Sequence, residues 1–147
     1  MRLTVKTNLA MRVLMACAVN KGRLMRKHDL ARTVNASEAH LAVVINQLSK
    51  LGFIKTTRGR AGGLALLLEP RDISVGTVFR LFEGDAPMAE CFNPSTNTCP
   101  LASCCRLNGE IRSALDAFFS TLDRVTLAEL VDRNTDLERI LALEDRG

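Results

Sequence analysis

Four of the five cysteines of this chain lie in one short, polar stretch, residues 85–108. They are Cys91, Cys99, Cys104 and Cys105. Pro87, Pro94 and Pro100 interrupt the stretch, so we expect a loop there and not a continuous helix or strand. Thiolates that converge from such a loop bind soft or borderline metals, above all iron–sulfur clusters and zinc. A disulfide and buried thiols without a ligand are the alternatives.

The expected compartment disfavours the disulfide. Residues 1–7 lead into an amphipathic pattern and lack the apolar segment and cleavage site of a signal peptide. No run approaches the roughly 18 apolar residues of a membrane span. We therefore expect a cytoplasmic chain without membrane contact, and thiols stay reduced in that compartment.

Charge is unevenly distributed along the chain. Residues 1–80 carry 14 basic and 4 acidic side chains, whereas residues 81–147 carry 6 basic and 12 acidic ones. A basic half joined to an acidic half is typical of a nucleic-acid-binding module fused to another part. The basic half is therefore the expected partner surface.

Three amphipathic helices are predicted in the basic half, over residues 3–20, 25–34 and 37–51. Thr4 or Thr7 can cap the first helix, and Cys17 falls on its apolar stripe. Ser37 can cap the third helix, which buries Leu41, Val44, Ile45 and Leu48. The opposite side of that helix carries Ser37, His40 and Gln47, which we predict to contact DNA. A short helix, a tight turn and a helix with a polar outer face form a helix-turn-helix pattern.

A β-hairpin is predicted directly after the third helix. Residues 53–57 and 64–68 read as its strands, with a glycine-rich basic tip between them. We predict that Arg58 and Arg60 contact phosphate or the minor groove, and that Gly62 and Gly63 allow close approach of the backbone. A hairpin in this place is the wing of a winged helix-turn-helix domain.

A long apolar helix is predicted after the cysteine loop. Its stripe consists of Leu107, Ile111, Leu115, Phe118, Phe119 and Leu122. Ser74 caps a shorter helix before the loop, and a capping box at Thr126–Glu129 starts a last short helix. Pairing of the long helix with its copy would bury the stripe, and a two-fold homodimer would present two recognition helices to a palindromic double-stranded DNA site.

With these elements placed, the chain resembles the iron–sulfur winged-helix repressors that include NsrR, IscR and RirA. The resemblance runs through nearly the whole length and rests on the order and spacing of several motifs. They are Met1-Arg2-Leu3-Thr4, Arg12-Val13-Leu14-Met15, Ser37-x-x-His40-Leu41, Arg58-Gly59-x-x-Gly62-Gly63, Val75-Gly76-x-Val78, Glu90-Cys91-Phe92, Cys105-Arg106-Leu107 and Leu122-Asp123-x-x-Thr126-Leu127-Ala128-Glu129-Leu130-Val131.

The resemblance implies an iron–sulfur cluster, of the 4Fe–4S type and one per subunit, held by three cysteines. Cys91, Cys99 and Cys105 match the family motif, with seven and five residues between them. Cys104 is an extra cysteine in this motif, and we interpret it as a bystander.

The fourth ligand of the family pattern differs in this chain. An Asp from the other subunit completes the cluster in the NsrR-like pattern, and a His does so in the IscR-like pattern. The matching positions here are Asn8 and Asn108, and a neutral amide is a poorer iron ligand than carboxylate or imidazole. Water, a small thiol, Glu83 or Asp85 are the other candidates for that iron.

The sequence thus predicts a mainly α protein with a small β-wing, namely a winged helix-turn-helix DNA-binding domain followed by a long dimerisation helix. Its parts would be a DNA-binding domain (1–84), a cluster-binding loop (85–106) and a dimerisation helix with a C-terminal short helix (107–147).

The resemblance implies a nitric oxide-sensing repressor, closest to NsrR and then to RirA. The C-terminal motifs favour NsrR, and Asn8 together with Met88–Phe92 favours the iron-responsive RirA. An IscR-like response to cluster status and a structural zinc site are further alternatives. An enzyme with a cysteine nucleophile is disfavoured, because the only histidines, His28 and His40, lie far from the loop in sequence.

Overall fold

The computed structural model describes residues 3–84 and 87–144. Within them the chain forms seven α-helices, one antiparallel two-stranded sheet and two 3₁₀ turns. The helices are α1 (Val5–Val19), α2 (Lys27–Thr33), α3 (Glu38–Lys50), α4 (Val75–Glu83), α5 (Arg106–Asp123), α6 (Leu127–Val131) and α7 (Thr135–Leu141). The strands are β1 (Ile54–Thr57) and β2 (Gly63–Leu66), and the 3₁₀ turns cover Pro70–Asp72 and Glu90–Phe92. The predicted fold class is confirmed.

The first helix, α1, is the centre of the hydrophobic core. It contacts α3, α4, α6, α7 and β2. Thr4 is its N-cap, and the Thr4 hydroxyl accepts a hydrogen bond from the Thr7 backbone N–H at 3.2 Å. Cys17 is buried in this core, as predicted, and burial raises the pKa of its thiol to about 12. Cys17 is therefore a neutral packing residue at physiological pH.

Helices α2 and α3 form the predicted helix-turn-helix. Asn35 in the turn has a φ of 51°, a left-handed conformation that asparagine adopts more readily than most residues. The predicted stripe on α3, Leu41, Val44, Ile45 and Leu48, is buried. The predicted start of α2 at Met25 is wrong, since Met25 precedes α2 and exchanges two backbone hydrogen bonds of 2.9 Å with Leu64.

The wing is an antiparallel hairpin in which Ile54 pairs with Leu66 and Thr57 with Gly63. Ile54 and Leu64 are buried against the helices, so the hairpin is attached to the domain by its inward side chains. The short bridge between Met25 and Leu64 adds a third segment to the wing. This edge pairing explains why Met25 is withdrawn from α2.

The C-terminal helices share the core of the N-terminal half. The predicted capping box at Thr126 and Glu129 is present at the start of α6. A further helix, α7, follows and was not predicted; both α6 and α7 contact α1. The buried side chain of Asn20 joins α1 to α7, donating to the carbonyls of Ala16 and Leu141, each at 2.8 Å. The three-part division of the chain at residues 84 and 106 stays a prediction.

Helix α5 packs on α4 and is exposed along much of its length. No α5 side chain is fully buried, although the predicted apolar stripe is present. Gly76 of α4 permits the close approach, since a Cβ there would lie 2.1 Å from Asp123 Oδ1. Arg80 Nη2 donates to Asp123 Oδ2 at 2.7 Å across the same contact. No helix in the described part of the chain is long and apolar enough to cross a membrane.

Candidate functional site

The outer face of α3 presents the residues predicted to contact DNA bases. Ser37 is the N-cap of α3, and its hydroxyl accepts a hydrogen bond from the His40 backbone N–H at 3.2 Å. His40 is exposed and Gln47 is half-buried. Because the opposite face is fixed in the core, this face is the one that a major groove would meet.

A polar cluster stabilises the start of α3 against α2. His28 Nδ1 lies 3.0 Å from Glu38 Oε1, and Lys27 Nζ lies 3.8 Å from Glu38 Oε2. The hydrogen bond with His28 is the main cause that holds the pKa of Glu38 below its ordinary value. His28 is exposed, and it contacts Glu38 at the start of α3.

The wing tip is basic and is anchored by a residue that the sequence analysis missed. Arg58 and Arg60 are exposed. Arg26 Nη2 donates to the backbone carbonyl of Arg60 at 2.9 Å, which ties the tip to the residue preceding α2. A cleft of about 660 Å³ lies between wing and helices, and Arg26, Lys27, Arg58 and Arg60 are among its lining residues. This concentration of positive charge suits a phosphate backbone.

The fold itself requires glycine at positions 62 and 63, because a side chain there would collide with nearby backbone atoms. A Cβ at Gly62 would lie 2.1 Å from the Thr57 carbonyl oxygen, and one at Gly63 would lie 2.7 Å from the Met25 carbonyl oxygen. Both contacts are with backbone atoms, which cannot move aside as a flexible side chain can. The hairpin and the Met25 bridge therefore require glycine at both positions, whether or not DNA approaches them.

The loop cysteines occupy different settings. Cys91 lies in the 3₁₀ turn, Cys99 lies in the irregular part of the loop, and Cys105 is the N-cap of α5. These three are half-buried, whereas Cys104 is exposed, and all four are free thiols. The partial positive charge of a helix N-terminus stabilises an anionic group, so the position of Cys105 suits a negatively charged cluster.

Two hydrogen-bonded contacts hold the cysteine-bearing segments next to one another. Glu90 Oε1 accepts from Thr98 N–H at 2.9 Å and from the Thr98 hydroxyl at 2.7 Å, which connects the neighbours of Cys91 and Cys99. These two bonds hold the pKa of Glu90 below its ordinary value. Asn108 Nδ2 donates to Cys91 Sγ at 3.0 Å, which connects Cys91 with the first turn of α5.

The chemistry of the donor set fits an iron–sulfur cluster. Three soft thiols, the candidate ligands, come from one loop, and its segments are joined by hydrogen bonds. Across residues 3–84 and 87–144, however, no group of three or more His, Cys, Asp or Glu side chains is gathered closely enough to hold a metal ion. Binding would therefore require the three thiols to draw together.

The candidate fourth ligands have different environments. Asn8 is exposed near the start of α1. Asn108 is half-buried and already bonded to Cys91. Glu83 is engaged by α1, and Asp85 lies outside the described residues.

Glu83 connects the end of α4, just before the cysteine loop, with the start of α1. Its Oε1 accepts hydrogen bonds from Thr4 N–H at 2.8 Å, from the Thr4 hydroxyl at 3.0 Å and from the buried Thr7 hydroxyl. Partial burial raises the pKa of Glu83, but the hydrogen bonds from Thr7 and Thr4 outweigh it and hold that pKa below its ordinary value. The ionised carboxylate thus connects the end of α4 with the start of α1, just before the cysteine loop begins.

Helix α1 also contacts the turn of the helix-turn-helix. Arg12 Nη1 donates to the carbonyl of Val34 at 3.0 Å. A continuous set of contacts therefore runs from Glu83 through α1 to the residues just before α3. Sequence periodicity could not reveal this link, because it depends on polar groups from separate segments of the chain.

Comparison with known proteins identifies the family. The model of the family described as "Rrf2: Iron-dependent Transcriptional regulator" matches residues 3–133. The chain is 39% identical to protein aau3 of Rhizobium meliloti, with 99% of this chain and 94% of the relative covered. It is 36% identical to the HTH-type transcriptional regulator NsrR of Bacillus subtilis, with 99% of this chain and 100% of the relative covered.

The fold has a solved counterpart. The structure of IscR from T. potens matches with a TM-score of 0.72 at 23% identity, and the match covers 98% of this chain and 93% of that one. The fold is a winged helix-turn-helix, and the family match makes this chain a DNA-binding transcriptional regulator. More particularly, the chain belongs to the Rrf2 family of transcriptional regulators. The family predicted from the sequence is confirmed, and so is the expectation that the protein is a regulator and not an enzyme.

Proposed function

We propose that this transcriptional regulator is a cytoplasmic repressor that senses nitric oxide through a 4Fe–4S cluster, one per subunit, held by Cys91, Cys99 and Cys105. One observation carries the proposal. Three half-buried free thiols lie in a single loop whose segments are joined by hydrogen bonds, just before α5. The full-length similarity to a regulator named NsrR supports the same assignment.

The DNA-binding surface consists of the outer face of α3 and the wing. In this proposal Ser37, His40 and Gln47 read bases, whereas Arg58 and Arg60 contact phosphate or the minor groove. The exposure of Ser37, His40, Arg58 and Arg60 supports these roles. The backbone at Gly62 and Gly63 approaches the DNA beside those arginines. The partner is double-stranded DNA with a palindromic operator.

The apolar stripe of α5 supports a homodimer. Leu107 is 64% exposed, and Ile111 and Leu115 are only half-buried. A second copy that packs along this stripe removes it from water and relates two recognition helices by a two-fold axis. The partner subunit's Asn8 would then lie near the cluster loop, as the family resemblance implies.

The switch uses the contacts of Glu83 and Arg12. With the three thiols engaged, the loop would have one conformation. In the structure, where the thiols have not drawn together among the described residues, Glu83 holds Thr4 and Thr7 at the start of α1. With the thiols released, the polar loop relaxes and the packing of α4 and α5 changes. Because Arg12 of α1 holds the Val34 carbonyl, this change reaches the recognition helix. The two loop states therefore differ in DNA affinity, as any two-state switch requires.

The cluster itself would supply iron that nitric oxide attacks. The three cysteines would hold three irons, and the fourth iron would have only a weaker ligand, since a neutral amide stands at each family position. Such incomplete protein ligation would leave one iron accessible to a small molecule.

The test is anaerobic purification followed by iron, sulfide and zinc analysis and by titration with nitric oxide. We expect four irons per chain, a brown colour with broad visible absorption, and DNA affinity that falls as nitric oxide is added. Zinc at one equivalent without sulfide would contradict the proposal and support the structural-zinc alternative. Retained DNA affinity after complete reaction with nitric oxide would contradict nitric oxide as the signal.

Iron status is the second candidate signal. The family description names an iron-dependent regulator, and Asn8 stands where the NsrR-like pattern has Asp. Titration of the anaerobic protein with an iron chelator separates the two signals. Loss of DNA binding at micromolar chelator, with little response to nitric oxide, would favour the iron-responsive function.

A further inference from the structure

We infer that Asn108 is not a cluster ligand but a hydrogen-bond donor to the Cys91 sulfur, and that Arg112 is the positioning residue that orients it. The inference rests on the proposed function, because it describes how the chain tunes a cluster bound through Cys91. It reassigns Asn108, which the family resemblance placed at the position of a ligand.

The orientation of the Asn108 amide follows from hydrogen-bond chemistry. Arg112 Nε lies 2.9 Å from Asn108 Oδ1, and Asn108 Nδ2 lies 3.0 Å from Cys91 Sγ. A guanidinium can only donate, so the amide oxygen must face Arg112. The amide nitrogen therefore faces the sulfur and donates a hydrogen to it.

Arg112 is itself held in place by the cysteine loop. Its guanidinium carbon lies 4.2 Å from the centre of the Phe92 ring, a cation–π contact with the residue next to Cys91. Asn108 and Arg112 are four residues apart on α5 and share one face of the helix. Cys91, Asn108, Arg112 and Phe92 thus form a closed set of contacts between the loop and α5.

This arrangement suits a group that does not bind the metal itself but donates a hydrogen bond to a metal-bound sulfur. A hydrogen bond to a cysteine sulfur withdraws electron density from it, and such bonds help to set the reduction potential of iron–sulfur clusters. Groups that support a metal ligand in this way typically contribute about 10- to 100-fold in metal affinity. If Asn108 bound iron directly, its amide would lose its hydrogen bond with either Cys91 or Arg112.

The experiment compares the anaerobically purified parent with Asn108→Leu and Arg112→Met, which approximately keep side-chain size. Asn93→Leu is the matched control, because Asn93 lies in the same loop but its side chain bonds only to Ser95 among the contacts of the described residues. The measurements are iron per chain, the cluster reduction potential, the iron–thiolate stretching frequencies by resonance Raman, and the rate of iron release to a chelator.

We expect Asn108→Leu to keep four irons, to lower the reduction potential, to shift an iron–thiolate frequency upward and to release iron about tenfold faster or more. Arg112→Met should shift the same quantities in the same direction but less, because the amide remains and loses only its orientation. Asn93→Leu should match the parent.

Two results would overturn the inference. One is a three-iron cluster in Asn108→Leu, visible by electron paramagnetic resonance, since that would make Asn108 a ligand. The other is an unchanged potential and Raman spectrum in both Asn108→Leu and Arg112→Met, beside a parent that holds its cluster. A parent that takes up no cluster would instead contradict the proposed function, so the two failures are distinguishable.

Discussion

At the scale of single residues, the environments of the cysteines distinguish a packing residue, Cys17, from the candidate metal ligands of the loop. Cys17 is 3% exposed among apolar side chains, and burial raises its pKa to about 12. Cys91, Cys99 and Cys105 are half-buried in or beside a polar loop, and Cys104 is exposed beside Cys105. The thiolate is the metal-binding form, so a buried neutral thiol is unsuited to ligation.

The first prediction concerns the ligand set. Cys91→Ala, Cys99→Ala and Cys105→Ala should each abolish the stable cluster, because two cysteines cannot retain it. Cys104→Ala and Cys17→Ala are the matched controls and should keep the parent's iron content and visible absorption. A colourless Cys104 variant beside a coloured Cys105 variant would show that the neighbouring cysteine is the ligand.

The second prediction concerns Asn8. Asn8→Asp should slow the decay of the visible absorption in air and with chelator, because a carboxylate is a better iron ligand than an amide. Both proteins are purified anaerobically and followed under identical conditions. Asn46→Asp, an exposed change on another helix, controls for added negative charge. Identical decay in Asn8→Asp and the parent would place Asn8 away from the cluster.

At the scale of elements, the proposed DNA binding depends on the wing and the proposed switch depends on α1. The third prediction concerns the wing. Arg58→Ala together with Arg60→Ala should weaken binding to all DNA sequences, because the wing would then neutralise fewer phosphates. The slope of the logarithm of affinity against the logarithm of salt concentration should flatten by about 0.9 for each phosphate that is no longer neutralised. The measurement is DNA affinity across a salt series.

Arg124→Ala is the control for the wing variants, because this exposed arginine lies at the end of α5, away from the wing. It should leave the salt dependence unchanged. If the double wing variant binds as the parent does at every salt concentration, the proposed docking of the wing is wrong.

The fourth prediction concerns the connection between the loop and α1. Glu83→Ala should leave the Thr7 hydroxyl and the Thr4 N–H without their carboxylate partner and lower the free energy of unfolding by about 1–3 kcal/mol. It should also reduce the ratio of DNA affinities between the cluster-bound and cluster-free protein. Glu110→Ala, at an exposed position on α5, should change neither quantity. An unaltered affinity ratio in Glu83→Ala would exclude this route of coupling.

At the scale of the whole molecule, residues 1–80 are rich in basic side chains and residues 81–147 in acidic ones, and the acidic part carries the exposed helix α5. The fifth prediction is that Leu107→Glu with Ile111→Glu produces a monomer, since two buried charges would oppose packing of the stripe against its copy. The mass is measured by light scattering over a range of concentrations. Ile140→Glu, 68% exposed on α7, is the control and should stay dimeric. A doubly substituted protein with the parent's mass would place the dimer interface elsewhere.

Much of the fold could be predicted because it depends on local patterns. The caps at Ser37 and Thr126 each involve a residue three positions away, and successive residues of the stripe on α3 are at most three positions apart. Helical periodicity and capping are short-range effects, so they are visible in one sequence. The start of α2 is the exception, because pairing of Met25 with Leu64, far along the chain, overrides the helical preference.

The sequence by itself determined the winged helix-turn-helix, the basic character of its N-terminal part and the concentration of cysteines in one loop, since residue type and spacing carry that information. Only the tertiary structure decided that Arg26 anchors the wing, that Glu83 fastens α1 and that Asn108 faces a sulfur. Each of these is a polar contact between segments at least 17 residues apart. A hydrogen bond of this kind depends on positions and directions in space, which follow from how the helices pack and leave no periodic trace in the chain.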